Sequence, residues 1–135
     1  MANVIYPKWK EALMNGEASA ALDSSDVKLV LIDTDDYTYA GTHEFLDDVA
    51  AAARVATTAA LSSKVVSSEN FDAADVSFSS VTGDECEAII VFNDTGTATT
   101  SRLVAYYDTG ITNFPITPNG GDIDITINAS GLFDL

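Results

Sequence analysis

Residues 87–107 run Glu87-Ala88-Ile89-Ile90-Val91-Phe92, then Asn93-Asp94-Thr95-Gly96 and a stretch of threonines, then Leu103-Val104-Ala105-Tyr106-Tyr107. Each apolar run has strand length and is rich in β-branched and aromatic residues, and the segment between them carries turn residues. The three pieces therefore read as a β-hairpin whose arms sit in the core. A third apolar run, Val27-Lys28-Leu29-Val30-Leu31-Ile32, is hydrophobic on both alternating faces and too short for a typical buried helix. It reads as a central strand, ended by Asp33-Thr34-Asp35-Asp36.

Working outward, Lys64-Val65-Val66 and Val76-Ser77-Phe78 read as short strands, and Gly83-Asp84 marks a turn. Beyond the turn signal Asn119-Gly120-Gly121, Ile123, Ile125 and Ile127 alternate with Asp122, Asp124 and Thr126, the pattern of a strand with one wet face. Two helices are expected. Pro7 presets a first turn, Trp9 and Leu13 fall on one side and Gly16 offers a stop, giving a short helix near residues 7–15. Phe45, Leu46, Val49, Ala50 and Ala53 recur at helical spacing behind a Thr42 cap, giving a second. The fold class is thus mainly β: an antiparallel sandwich or barrel-like single domain over residues 1–135, with a short N-terminal helix and one further short helix. Within it, 1–16 is a helical segment available to dock on a partner and 27–135 is the β-rich core. Residues 15–26, rich in Ala, Ser and acidic groups, read as a mobile connection between them.

The chain's 135 residues suffice for one real core, and 47% hydrophobic with 20% charged residues is globular composition. Six basic against 21 acidic residues leave a net charge of −15, which repels phosphate backbones and anionic membranes and favours a cationic protein surface. Nucleic acid and membrane are not expected partners. No run approaches the roughly 20 apolar residues of a bilayer span, and the opening lacks the pattern of a secretion leader. A lone cysteine, Cys86, forms no intrachain disulfide, in keeping with synthesis in a reducing compartment.

Catalytic chemistry finds little footing, and no enzymatic activity or cofactor is expected. Cys86 stands among Asp84, Glu85 and Glu87, which would raise a thiol pKa rather than lower it. His43 is the sole histidine, and neither a nucleophile elbow nor a phosphate-cradling loop occurs. Asp33, Asp35 and Glu44 fall at the first, third and twelfth positions of a calcium-loop spacing, but Tyr37 and Thr38 occupy positions that need a ligand and a glycine. The candidate that survives is a looser oxygen site from Asp33, Asp35 and Asp36, set against the simpler reading of a solvated turn. Trp9, Tyr37, Tyr39, Tyr106 and Tyr107 could line a sugar-binding surface, or serve as core or interface anchors.

The opening Asn3-Val4-Ile5-Tyr6-Pro7-Lys8-Trp9-Lys10-Glu11-Ala12-Leu13, the segment Phe71-Asp72-Ala73-Ala74-Asp75-Val76-Ser77-Phe78, and Ser101-Arg102-Leu103-Val104-Ala105-Tyr106 followed by Pro118-Asn119-Gly120-Gly121-Asp122-Ile123 carry a resemblance. The chain resembles a family of small virion proteins of tailed bacteriophages. That resemblance implies a capsid decoration or cement subunit, made in the host cytoplasm and bound to the major capsid protein on the outer shell of the virion. It supplies no catalytic or ligand residues. Its alternative is a neck, tail or fibre-associated subunit with a glycan- or receptor-binding role. Homo-oligomerisation, as a trimer at threefold positions, is the expected assembly. Ile5, Tyr6 and Trp9 are the expected docking or oligomer contacts, being apolar, close to local basic charge and on the segment read as tethered.

Overall fold

Antiparallel pairing between β7 (Ala88–Asp94) and β8 (Arg102–Tyr107) places the predicted hairpin at the middle of the largest sheet. The computed structural model describes residues 3–23, 25–128 and 130–135. The remaining elements, in chain order, are β1 (Val4–Ile5), α1 (Pro7–Met14), β2 (Asp26–Ile32), β3 (Arg54–Thr57), β4 (Val65–Ser67), β5 (Asn70–Asp72), β6 (Val76–Phe78), β9 (Ile123–Ile125) and β10 (Phe133–Asp134). The strands form three antiparallel sheets: β1-β8-β7-β2-β3, β10-β5-β4 and β6-β9. The class is mainly β, as the sequence patterns require.

Register and pleat decide which residues share a face of the five-stranded sheet. Val30, Ile90, Tyr106 and Val4 stand in one row across β2, β7, β8 and β1. The Tyr106 ring of that row packs 6.1 Å from Tyr37 and 5.6 Å from Tyr39, so the segment after β2 covers this face. On the opposite face Leu29, Ile89, Val91 and Tyr107 look toward the segment around β9 and the C-terminal residues. Both faces are covered, which is why β7 and β8 are buried along almost their whole length without polar alternation.

Helix α1 begins at Pro7 and stops in a two-bond cap: Gly16 N–H donates to Leu13 O (3.1 Å) and Glu17 N–H to Ala12 O (3.0 Å). Gly16 stands at φ +71°, the left-handed conformation this cap requires. The helix buries Trp9 and Ala12, not the Trp9–Leu13 pair the spacing suggested; Leu13 lies at the rim.

Two sequence expectations are corrected. The helix predicted from Phe45 to Ala53 is instead a pair of 3₁₀ turns, Leu46–Asp48 and Ala51–Ala53. Its apolar residues Leu46, Val49 and Ala53 are buried as expected, but the backbone is recruited by the sheet. Phe45 bridges Arg102, Leu46 N–H donates to Ser101 O (2.8 Å), and Leu103 N–H donates to Glu44 O (3.0 Å). Those groups cannot also serve a helix.

The connection read as mobile, residues 15–26, is anchored at its middle, over residues 19–22, while residues 15–18, Asp23 and Asp26 are exposed; Ser24 lies outside the described residues. Ala20 and Leu22 are buried, and the Asn93 side chain donates to Ser19 O (2.8 Å) and Ala21 O (2.9 Å). The N-terminal segment is thus integral to the core, whose buried residues form one cluster from Tyr6 to Ile127.

Candidate functional site

The residues expected to dock on a partner mostly face inward. Ile5 is half-buried opposite Ala105 on β8. Tyr6 is fully buried, its N–H donating to Val104 O at 2.9 Å. Trp9 is 1% exposed, donates its indole N–H to Ala20 O at 3.1 Å and meets the Phe133 ring edge-on at 5.7 Å. Tyr6 and Trp9 are therefore core anchors of this chain, a correction to their reading as contacts. An apolar side chain next to a flexible-looking stretch gives the same sequence signal whether it is buried by its own domain or by another.

Titratable groups converge on the face covered by residues 33–44. Tyr6 Oη and Tyr37 Oη lie 2.8 Å apart, and Tyr37 Oη lies 2.8 Å from His43 Nδ1, forming a phenol–phenol–imidazole chain flanked by Tyr39 and Tyr106. Burial drives the Tyr6 phenol well above its ordinary range, and burial pushes Tyr37 and Tyr106 up to about 12. Phenols held protonated in this way donate hydrogen bonds but supply no nucleophile or base near neutral pH. The chain fastens the post-β2 segment to the N-terminal strand. Of the aromatic residues read as a possible sugar platform, Trp9, Tyr37 and Tyr106 are buried and Tyr39 and Tyr107 half-buried, which makes them anchors.

The acidic turn does not gather into a metal site. Asp33 is buried and its Oδ1 accepts the Asp35 N–H at 2.9 Å, while Asp35 and Asp36 point into solvent. Glu44, the residue at the twelfth calcium-loop position, is turned toward Arg102 instead. Among the described residues no group of three or more His, Cys, Asp or Glu side chains converges to hold an ion. The candidate set Asp33, Asp35 and Asp36 is a capped turn.

Arg102 organises a corner of the molecule. Its guanidinium is buried on β8, donating to Glu17 Oε2 and Glu44 Oε1 (2.9 Å each) and to Ser19 Oγ (3.0 Å), and it lies 4.7 Å above the Phe45 ring. It joins the α1 exit to the loop that leads into the 3₁₀ turns. An arginine beside an apolar run was the available signal, since so costly a burial needs partners. On β2, Lys28 Nζ donates to Asp94 Oδ2 at 2.6 Å, and that bond, first among several, holds the Asp94 carboxyl below its usual range. Cys86 is buried in a bridge with Ile116, and burial together with Glu87, Asp33, Asp84 and Glu85 pushes its thiol up to about 12.

Two concavities stand out among the described residues. The larger, about 450 Å³, opens between the Leu29–Ile89–Val91–Tyr107 face and the segment around β9. Its described lining contains one carboxylate, Asp124, and no histidine, cysteine, lysine or arginine to form an acid–base pair with it. Tyr107 Oη in its wall donates to Leu132 O at 2.9 Å, and burial raises that phenol also. The smaller, about 240 Å³, is an apolar groove between α1 and the β10-β5-β4 sheet. No protein-family model matches the chain, and a search among curated proteins finds no similar one.

Proposed function

We propose that the chain is a structural virion protein of a tailed bacteriophage, a capsid decoration or cement subunit. It binds the major capsid protein on the outer shell and holds neighbouring coat subunits together by protein–protein contacts. The observation that carries this reading is the resemblance of residues 3–13, 71–78, 101–106 and 118–123 to small virion proteins, taken with where those residues lie. They build β1, α1, β5, β6, β8 and the turn before β9, and they supply the anchors Tyr6, Trp9, Phe71, Phe78 and Tyr106. The likeness is thus one of scaffold.

The net charge of −15 supports a cationic patch on the shell as the complementary surface. Many copies, each contributing a modest contact, reinforce a shell through multivalency. A trimer follows where copies meet at threefold positions of the lattice. The test is co-sedimentation of the purified chain with shells assembled from coat protein alone. Saturable binding is expected; no binding, or binding confined to isolated necks or tails, overturns the decoration role.

A further inference from the structure

Three of the five large apolar side chains exposed among the described residues line one groove. The five are Leu13, Met14, Val65, Val66 and Leu135. Leu13, Val66 and Leu135 line the 240 Å³ groove, and Met14 and Val65 are chain neighbours of two of them. Scattered single hydrophobics need no explanation, whereas a gathered set beside a groove marks an interaction surface.

The groove has a definite construction. Val66, Phe71 and Phe133 stand opposite one another across β4, β5 and β10, so they form one apolar row on one face of the small sheet. The inner end of this row is closed by Trp9 against Phe133, while Phe71 and Phe133 pack ring to ring at 5.6 Å. The outer end is open: Val66 is 54% exposed, and Val65, on the other face of the same strand, is 53% exposed. β4 is also a terminal strand of its sheet, paired to β5 on one side only. A short edge strand of this kind offers unpaired backbone N–H and C=O groups to an added strand.

Volume and charge select the occupant. At about 240 Å³ the groove has room for apolar side chains presented by a protein segment. Its lining includes two exposed carboxylates, Asp23 and Glu69, and no cationic side chain. A second copy of this chain would bring a further −15 of charge against that rim.

We infer that the groove between α1 and β4 docks an extended segment of the coat protein that carries an apolar side chain flanked by lysine or arginine. The segment adds to the β4 edge, inserts its apolar side chain beside Leu13 and Val66, and places its cations against Asp23 and Glu69. This inference rests on the virion reading and names the surface through which it operates.

The experiment measures binding of the full-length chain to shells assembled from coat protein alone. The unaltered chain is compared with Val66→Lys, Leu13→Lys, Glu69→Lys and a control, Asp35→Asn, which changes the charge by as much as the first two and lies on the exposed turn after β2, outside the groove lining. Thermal melts confirm that each variant folds. Expected are a loss of about ten-fold or more in affinity for Val66→Lys and Leu13→Lys, a smaller loss for Glu69→Lys that fades as salt is raised, and no change for Asp35→Asn. Shell binding that Val66→Lys and Leu13→Lys leave intact overturns the groove while the decoration role stands. Failure of the unaltered chain to bind shells overturns both. Self-association of the free chain that Val66→Lys abolishes assigns the groove to a second copy and overturns the coat-segment occupant.

Discussion

Replacing Trp9 by Ala separates a core anchor from a docking residue. The indole is 1% exposed, packs edge-on against Phe133 and donates to Ala20 O. Truncating a buried Trp to Ala costs roughly 3–5 kcal/mol, cavity included. The loss also leaves the buried Ala20 carbonyl without the indole donor, which puts the expectation at the middle of that range or above, about 4 kcal/mol. At about 2.1 cal/mol/K per residue, a chain of 135 residues has an unfolding entropy near 0.28 kcal/mol/K, so the melting temperature should fall by about 14 °C. Trp9→Phe keeps the ring contact and loses the hydrogen bond, so its loss should be about 1–2 kcal/mol. Circular dichroism melts and urea titrations of the three proteins measure these differences. Because Trp9 is the sole tryptophan, fluorescence of the unaltered chain gives a second readout: blue-shifted emission resistant to acrylamide, moving red with unfolding. A Trp9→Ala protein that melts within about 3 °C of the parent, a loss below about 1 kcal/mol by the same entropy, would refute the placement of this residue in the core.

Arg102→Ala removes a buried guanidinium from two carboxylates, but Glu17 and Glu44 are 45% and 39% exposed and regain water. The cost should therefore fall below the full penalty for breaking a buried pair, at about 2–3 kcal/mol, read as a shift in the urea midpoint. Gly131→Ala should cost about 2 kcal/mol or more, because Gly131 sits at φ +95° and an added Cβ would lie 2.6 Å from Asn70 Nδ2 and 2.8 Å from Phe71 O. Loss of β10 pairing should follow, visible as faster amide exchange at Leu132 and Leu135, whose N–H groups donate to Phe71 O and Glu69 O. Alkaline pH should destabilise the fold. Tyr37 and Tyr106 rise from 10.0, and Cys86 from 9.0, to about 12, so their stability contributions are whole below pH 9 and are lost as pH climbs toward 12. Urea midpoints across that interval, with phenolate absorbance, measure the fall. The Cys86 thiol should remain unreactive to disulfide reagents at pH 8 until the chain unfolds.

The strands were legible because their signal is local. The apolar runs at Val27–Ile32, Ala88–Phe92 and Leu103–Tyr107 are buried on both faces, and Ile123 and Ile127 alternate with exposed neighbours as the pattern required. What was not legible depends on partners distant in sequence. The Phe45–Ala53 periodicity could not reveal that Ser101 and Leu103 claim the backbone of Glu44 and Leu46. The Ala- and Ser-rich stretch from Asn15 to Asp26 looked loose because, beside the Trp9 bond to Ala20, its side-chain ties include Asn93 and Arg102, over seventy residues away. The exposed apolar residues of β4 were not legible for a related reason. Val65 and Val66 become an exposed edge only once β4 is known to end its sheet, a property of topology that periodicity does not carry. The acidic turn illustrates the reverse. Its calcium-like spacing was visible, but Asp33 caps its own turn and Glu44 answers Arg102.

The most direct test of the central claim is the number of copies of this chain in purified particles, by quantitative mass spectrometry against the major coat protein. A decoration subunit should be present in a fixed small-integer ratio to the coat protein, as shell symmetry demands. A few copies per particle would contradict the decoration role in favour of the neck or tail, and absence from particles would contradict the virion assignment altogether.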